Sequence, residues 1–361
     1  MTAFNRNPFI TSDPLPVDVV FHPSWWHRHA GISFDEDFFY HPAKRVESER
    51  KMEQVLYDRF GQYGLGADHD KNLPEVGAVH LAAGYLIPEM LGCRVEYEEN
   101  TAPQVIPAGM EKLNIDPDQA FNSEVIRKVI KLQDQLKLKS GYLTGDINWG
   151  GVLNVALDLI GQQVFTDMLL YPDEVLKQFT LIAEVIERFA GGIGKITGTT
   201  SVSVNRNVRH IKKPVFLHSE CSHTMISTDQ YEEFLMPADL KWSQLHRPFG
   251  IHYCGNDPHR YAEVFSRIPN LDFLDVGWGG DVVLLRKYLP NTFLNLRLDP
   301  VTIKNYSDEE LRRTITTLVE ASGNPWLTGV CCINMDDSVP DSTVATIFST
   351  VRELRKVMSD Q

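Results

Sequence analysis

From about residue 123 onward the chain alternates two hydrophobic patterns. Apolar residues at Val125, Ile126, Val129, Ile130 and Leu132 recur at helical spacing and predict a helix over 123–138. Short apolar runs of strand length stand at 142–145, 215–217, 250–254, 273–276, 293–297 and 326–331. Segments of helical length separate them, at 152–161, 171–190, 230–246, 258–267, 281–288, 308–322 and 341–357. Pro172 with Asp173 and Glu174 suits the first turn of one helix, and Ser227 with Gln230 caps another. Strands alternating with helices of this length build parallel βαβ units.

The first 120 residues are less regular. Residues 1–16 are rich in Pro and Asn and read as an arm. Val17–Phe21 reads as a strand running into a loop, Pro23-Ser-Trp-Trp-His-Arg-His-Ala-Gly31, loaded with rings and cations. Helices are expected over 36–62 and 81–92, and a hairpin from 93–97 and 104–106. A doubly wound open sheet would carry a glycine fingerprint after its first strand, and none is present. The expectation is a single (β/α)8 TIM barrel over 1–361, with 1–120 supplying the arm, a lid loop and extra helices.

Composition narrows the function. A chain of 361 residues with 43% hydrophobic residues can bury a large core. There is no apolar run of about 18 residues, so no membrane span is expected. The N-terminus has no apolar signal core. A net charge of -13 argues against nucleic-acid binding. Five cysteines do not suggest a secreted disulfide framework. A reducing cytoplasm is the expected location.

The candidate chemistry clusters just after the strands, the catalytic rim of a barrel. His252 and Cys254 stand two apart on one strand, so their side chains leave the same face. Both are ligands for zinc. Cys331 and Cys332 end another apolar run, and their side chains point apart, so only one can join a common site. Glu220 and Cys221 follow a third strand, and either can occupy a fourth metal position or, for Glu220, hold a substrate hydroxyl. Asp146 and Asn148 follow the 142–145 strand as substrate-holding or helix-capping residues. Trp25 and Trp26, with Tyr85, Tyr253 and Trp278 near the expected rims, suggest an apolar, ring-shaped pocket. Trp25, Trp26, His27 and His29 form either an aromatic lid or a hydrophobic plug at the barrel mouth, and Arg28 or Arg297 can serve a sulfonate or pterin.

Several of these segments together resemble a known superfamily. They are Gly141-Tyr-Leu-Thr-Gly145, Ile160-Gly161, Tyr171-Pro-Asp-Glu174, Ile226-Ser227, Tyr231-Glu-Glu-Phe234 and Pro237, then His252-Tyr-Cys254-Gly255 and the distant Cys331. The pattern is similar to the uroporphyrinogen decarboxylase superfamily, and within it to the zinc-dependent, corrinoid-linked methyltransferases. The resemblance implies Zn2+ on His252, Cys254 and Cys331, with Glu220, Cys221 or water as a fourth ligand. It implies Glu220 and Asp146 as catalytic residues, and cobalamin (a corrinoid) carried on a separate corrinoid-binding protein. The reaction it favours moves a methyl group from a small methylated donor, a methoxylated aromatic, to Co(I). Alternatives are methyl transfer from methylcobalamin to coenzyme M or tetrahydrofolate, and a non-catalytic zinc-binding barrel. The decarboxylase branch fits less well: its Met-Arg-Gln-Ala-Gly-Arg signature meets His27-Arg28-His29-Ala30-Gly31-Ile32 here, and the second arginine is lost.

Overall fold

The computed structural model describes residues 4, 6, 9, 13–77, 84–145, 147–198 and 211–359. Six parallel strands form one curled sheet in the order β1-β8-β7-β6-β5-β4. They are β1 (Val17–Phe21), β4 (Phe216–Glu220), β5 (Phe249–Tyr253), β6 (Leu271–Val276), β7 (Phe293–Leu298) and β8 (Thr328–Met335). A separate antiparallel hairpin joins β2 (Arg94–Glu96) to β3 (Gln104–Ile106). Among the described residues, the second and third barrel strands are represented by one parallel bridge, Glu75 with Thr144. This is a (β/α)8 TIM-type barrel whose wall is well formed over six strands among the described residues. β5, β6 and β7 are buried along their whole length, as a sheet covered by helices on one face and filled on the other requires.

Local chemistry explains where elements differ from the sequence pattern. The helix expected over 36–62 is two, Glu36–Tyr40 and Pro42–Phe60, because His41 is extended before Pro42. The helix expected over 230–246 divides at Leu235, with Pro237 at the start of Met236–Leu245. The ring-rich segment 23–31 is a helix, Pro23–Ala30, and not a lid loop. His22 caps it by accepting from the Ser24 N–H, Pro23 opens it, and Gly31 closes it in the left-handed region. The strand expected at 215–217 extends through Glu220, which places His218, Ser219 and Glu220 in the wall. Part of the helix expected over 81–92 falls on residues 81–83, outside the described residues; Leu86–Met90 is helical.

Candidate metal centre

Strand register assembles the centre. His252 on β5 pairs with Ser219 on β4 and with Asp275 on β6, and Asp275 pairs with Asn295 on β7. Residues in register share a face, and so do residues two further along. The next inward row therefore holds Cys221, Cys254, Gly277 and Arg297, the last in register with Cys331 on β8. Sulfur atoms of Cys221 and Cys254 and a ring nitrogen of His252 lie within 4.8 Å of one another. Among the described residues this is the one such cluster of metal-binding side chains.

Close packing brings the strand ends together. A Cβ on Gly255 would stand 2.3 Å from the Thr224 methyl carbon, and one on Gly277 would stand 1.7 Å from the Gly255 carbonyl oxygen. Only glycine permits this approach, which explains the glycine following Cys254.

The electrostatics favour a cation between the donors. Asp275 Oδ2 accepts from His252 Nδ1, so the ring's Nε2 is the nitrogen left for the centre. That Nε2 is buried and makes no hydrogen bond among the described residues. Burial alone would lower the His252 pKa, but Asp275 and the neighbouring Cys254 raise it to about 9. The Cys254 thiol is held well below its ordinary range by hydrogen bonding from Cys221, against burial, with His252 and Arg297 adding to the effect. Cys221 is pushed up correspondingly by Cys254 and by burial. Two sulfurs, one imidazole and a carboxylate behind the imidazole are the donor set and outer support of a zinc site. The residues present fit zinc.

Comparison with solved structures agrees on architecture. The chain resembles a methyltransferase from Methanosarcina mazei with a TM-score of 0.63 and 14% identity, over 95% of this chain and 94% of that one. At that identity the match establishes a shared fold. No family model and no curated protein matches the sequence.

The structure distributes the expected site residues unevenly. His252 and Cys254 are together, but Cys331 lies outside their cluster, three strands along the wall. Its sulfur accepts from Asn295 Nδ2 at 3.0 Å and stands 3.9 Å from Asp275 Oδ1, and burial and Asp275 raise its pKa well above the ordinary thiol value. Cys221, one strand from Cys254, takes the third place. Glu220 points the other way, as strand alternation demands. Its carboxylate is fully buried and accepts from the Leu153 N–H at 2.8 Å and the Ser222 N–H at 3.0 Å, so it caps the helix Val152–Ile160 and braces the Cys221 turn.

Tyr253 alternates away from the centre too, and its hydroxyl donates to Asp257 at 2.6 Å. Trp25 and Trp26 are core residues, 0% and 1% exposed, with Trp25 stacked on Phe21. His27 bonds the Ile32 carbonyl, and Arg28 is exposed and paired with Asp337 at 3.2 Å. Asn148 is buried beside Arg45 and Tyr85 around a cavity of about 20 Å³, remote in sequence from the metal strands. Asp146 lies outside the described residues. Trp278 is half-buried beside the centre, with the Arg297 guanidinium 5.4 Å from its ring.

Asp275 and Asn295 are site residues that the sequence reading does not single out; Arg297 stands there only as a possible cation for a sulfonate or pterin. Their signal was available: polar side chains inside otherwise apolar strands, Asp275 in Phe273-Leu-Asp-Val276 and Asn295 with Arg297 in Phe293-Leu-Asn-Leu-Arg297.

Proposed function

We propose that the chain is a zinc-dependent methyltransferase that moves a methyl group from a small methoxylated compound to the Co(I) corrinoid of a partner protein. The observation carrying this reading is the cluster of Cys221, His252 and Cys254 with a buried His252 Nε2 left without a hydrogen bond. The likeness to a protein titled methyltransferase supports the class of reaction. Bound by these three residues, zinc supplies Lewis-acid polarisation of the heteroatom that bears the methyl group.

The chain's own residues do the positioning. Asp275 fixes the His252 tautomer and ring orientation, leaving Nε2 facing the two sulfurs. Arg297 lies 3.7 Å from Cys254 Sγ and offsets the thiolate charge. Trp278 presents an aromatic face to the Arg297 guanidinium. Ile32, at the position where the decarboxylase signature carries its second arginine, is 3% exposed and packed in the core, so it offers no cation to a porphyrinogen carboxylate.

Cob(I)alamin can serve as the acceptor probe. Incubation with a guaiacol-type ether and zinc-loaded protein should convert Co(I) to methyl-Co(III), read spectrally, with release of the free phenol. Conversion only in the opposite direction, from methylcobalamin to a thiol or tetrahydrofolate, would overturn the demethylating reading. Conversion in neither direction would overturn methyl transfer.

A further inference from the structure

The five cysteines stand in two kinds of surroundings. Cys93, Cys331 and Cys332 are buried, whereas Cys221 and Cys254 are half-buried where β4 and β5 end. Cys93 Sγ donates to the Asp158 carbonyl at 3.4 Å, and Cys331 Sγ accepts from Asn295 at 3.0 Å. Cys331 and Cys332 are consecutive on β8, so their side chains leave opposite faces.

Cys221 and Cys254 face each other. Glu220 pairs with Tyr253 across β4 and β5, and the next residue on each side continues that register. Adjacent strands run about 4.8 Å apart, inside the roughly 4.4–6.8 Å between Cα atoms that a disulfide bridges. The two sulfurs lie within 4.8 Å of each other, and Cys221 donates a hydrogen bond to Cys254. Arg297 Nη1, 3.7 Å from Cys254 Sγ, and the His252 ring favour a thiolate on Cys254. A thiolate beside a thiol is the pair that oxidation joins, and a half-buried position admits a small oxidant.

We infer that Cys221 and Cys254 are a reversible oxidation site that closes to a disulfide when the centre holds no zinc. The role of zinc is taken from the metal-centre reading above, and the pairing of the two sulfurs from geometry alone. With a peroxide as oxidant, the Cys254 thiolate attacks one oxygen, the O–O bond breaks, and hydroxide leaves a sulfenic acid behind. The Cys221 sulfur then attacks the sulfenic sulfur. The S–S bond forms, the S–O bond breaks, and the hydroxyl departs as water with the Cys221 proton. The cysteine pair loses two electrons, and the peroxide gains them. Sulfurs that ligate zinc are withheld from this step, and the disulfide in turn takes two of the three donors from the centre until a thiol reductant reopens it.

The test starts from full-length protein in two forms, stripped of metal by a chelator and reloaded with zinc. Each is treated with hydrogen peroxide, alkylated with N-ethylmaleimide in denaturant, and digested without reduction. In stripped protein, mass spectrometry should find one linked peptide pair containing Cys221 and Cys254, with Cys93, Cys331 and Cys332 alkylated. Dithiothreitol should release the pair and restore binding of about one zinc ion per chain. Zinc-loaded protein should form the link at least about tenfold more slowly, as ligated thiolates react less readily. Cys221→Ser should stop at a Cys254 sulfenic acid that dimedone traps, and Cys331→Ser should leave the link unchanged. If Cys221→Ser does not fold, the wild-type peptide map and Cys331→Ser carry the test. A link from Cys254 to Cys331, a link between Cys331 and Cys332, or no link at all would overturn the inference. The two readings fail separately. A Cys221–Cys254 link that forms equally fast with and without added zinc, in protein that retains none, rejects the metal centre and keeps the oxidation site. Tight zinc binding by protein that never links keeps the metal centre and rejects the oxidation site.

Discussion

Asp275 on β6 accepts a hydrogen bond from the Nδ1–H of His252 on the adjacent strand β5, and both side chains are almost wholly buried. The same carboxylate accepts from Asn295 Nδ2 at 3.1 Å, so the ring is held from behind by a chain that crosses three strands. An outer carboxylate of this kind fixes the imidazole tautomer and raises its basicity toward a metal.

Replacing Asp275 should therefore loosen the centre without touching a ligand. Asp275→Asn is expected to weaken zinc binding by about 10–100-fold. Titration against a competing chelator measures this directly. An unchanged zinc affinity would remove Asp275 from the metal's support.

Gly151 is the next sensitive position. Its φ of -76° suits any residue, so its demand for glycine is steric. A Cβ there would stand 2.4 Å from Glu220 Oε2 and 2.8 Å from Glu220 Cβ. Gly151→Ala should cost about 1–3 kcal/mol of stability, the usual toll of overpacking. It should also lower zinc affinity, because Glu220 must shift and Cys221 follows it in the chain. Chemical denaturation with parallel metal analysis checks both effects. Wild-type stability in Gly151→Ala would show that Glu220 has room to move.

Asp158, on the helix that Glu220 caps, gives a pH signature. Burial first, and then the charge of Glu220, raise its pKa from the ordinary carboxylate value to about 6. A raised pKa means that the folded protein holds the proton more tightly than the unfolded chain does. The associated stability is full below pH about 4 and is lost as pH rises through about 6. Asp158→Asn should flatten that slope. The melting temperature of the variant should gain on wild type between pH 4.5 and pH 7, and a constant difference would contradict the assignment.

How far the sequence speaks depends on whether its signal is periodic or steric. The barrel was readable because apolar runs of strand length alternate with amphipathic helices, and this rhythm needs no tertiary information. His252 and Cys254 were readable for the same reason, since their spacing alone puts them on one face. The grouping of Cys221 with them was readable only as one of several possible fourth ligands. Choosing Cys331 over Cys221 depends on which strands are neighbours, and β4 beside β5 brings Cys221 closer than β8 can bring Cys331. Trp25 and Trp26 stay ambiguous in the sequence because a cluster of rings can cover a pocket or fill a core. Phe21 and Phe60, against which Trp25 packs, decide for the core. Glu220 and Tyr253 misled through parity: each neighbours a centre residue in the chain and faces the other side of its strand.

The most direct measurement of the centre is cobalt(II) substitution. Cobalt(II) in a site with two thiolates gives intense sulfur-to-metal charge-transfer absorption, and the band scales with the number of thiolate ligands. Wild type should bind about one cobalt ion per chain, as expected for a single cluster of this donor set. Cys221→Ser and Cys254→Ser should each lose about half of the charge-transfer intensity, and Cys331→Ser should keep it and its metal stoichiometry. Full intensity in Cys221→Ser together with loss in Cys331→Ser would contradict a centre built on Cys221, His252 and Cys254.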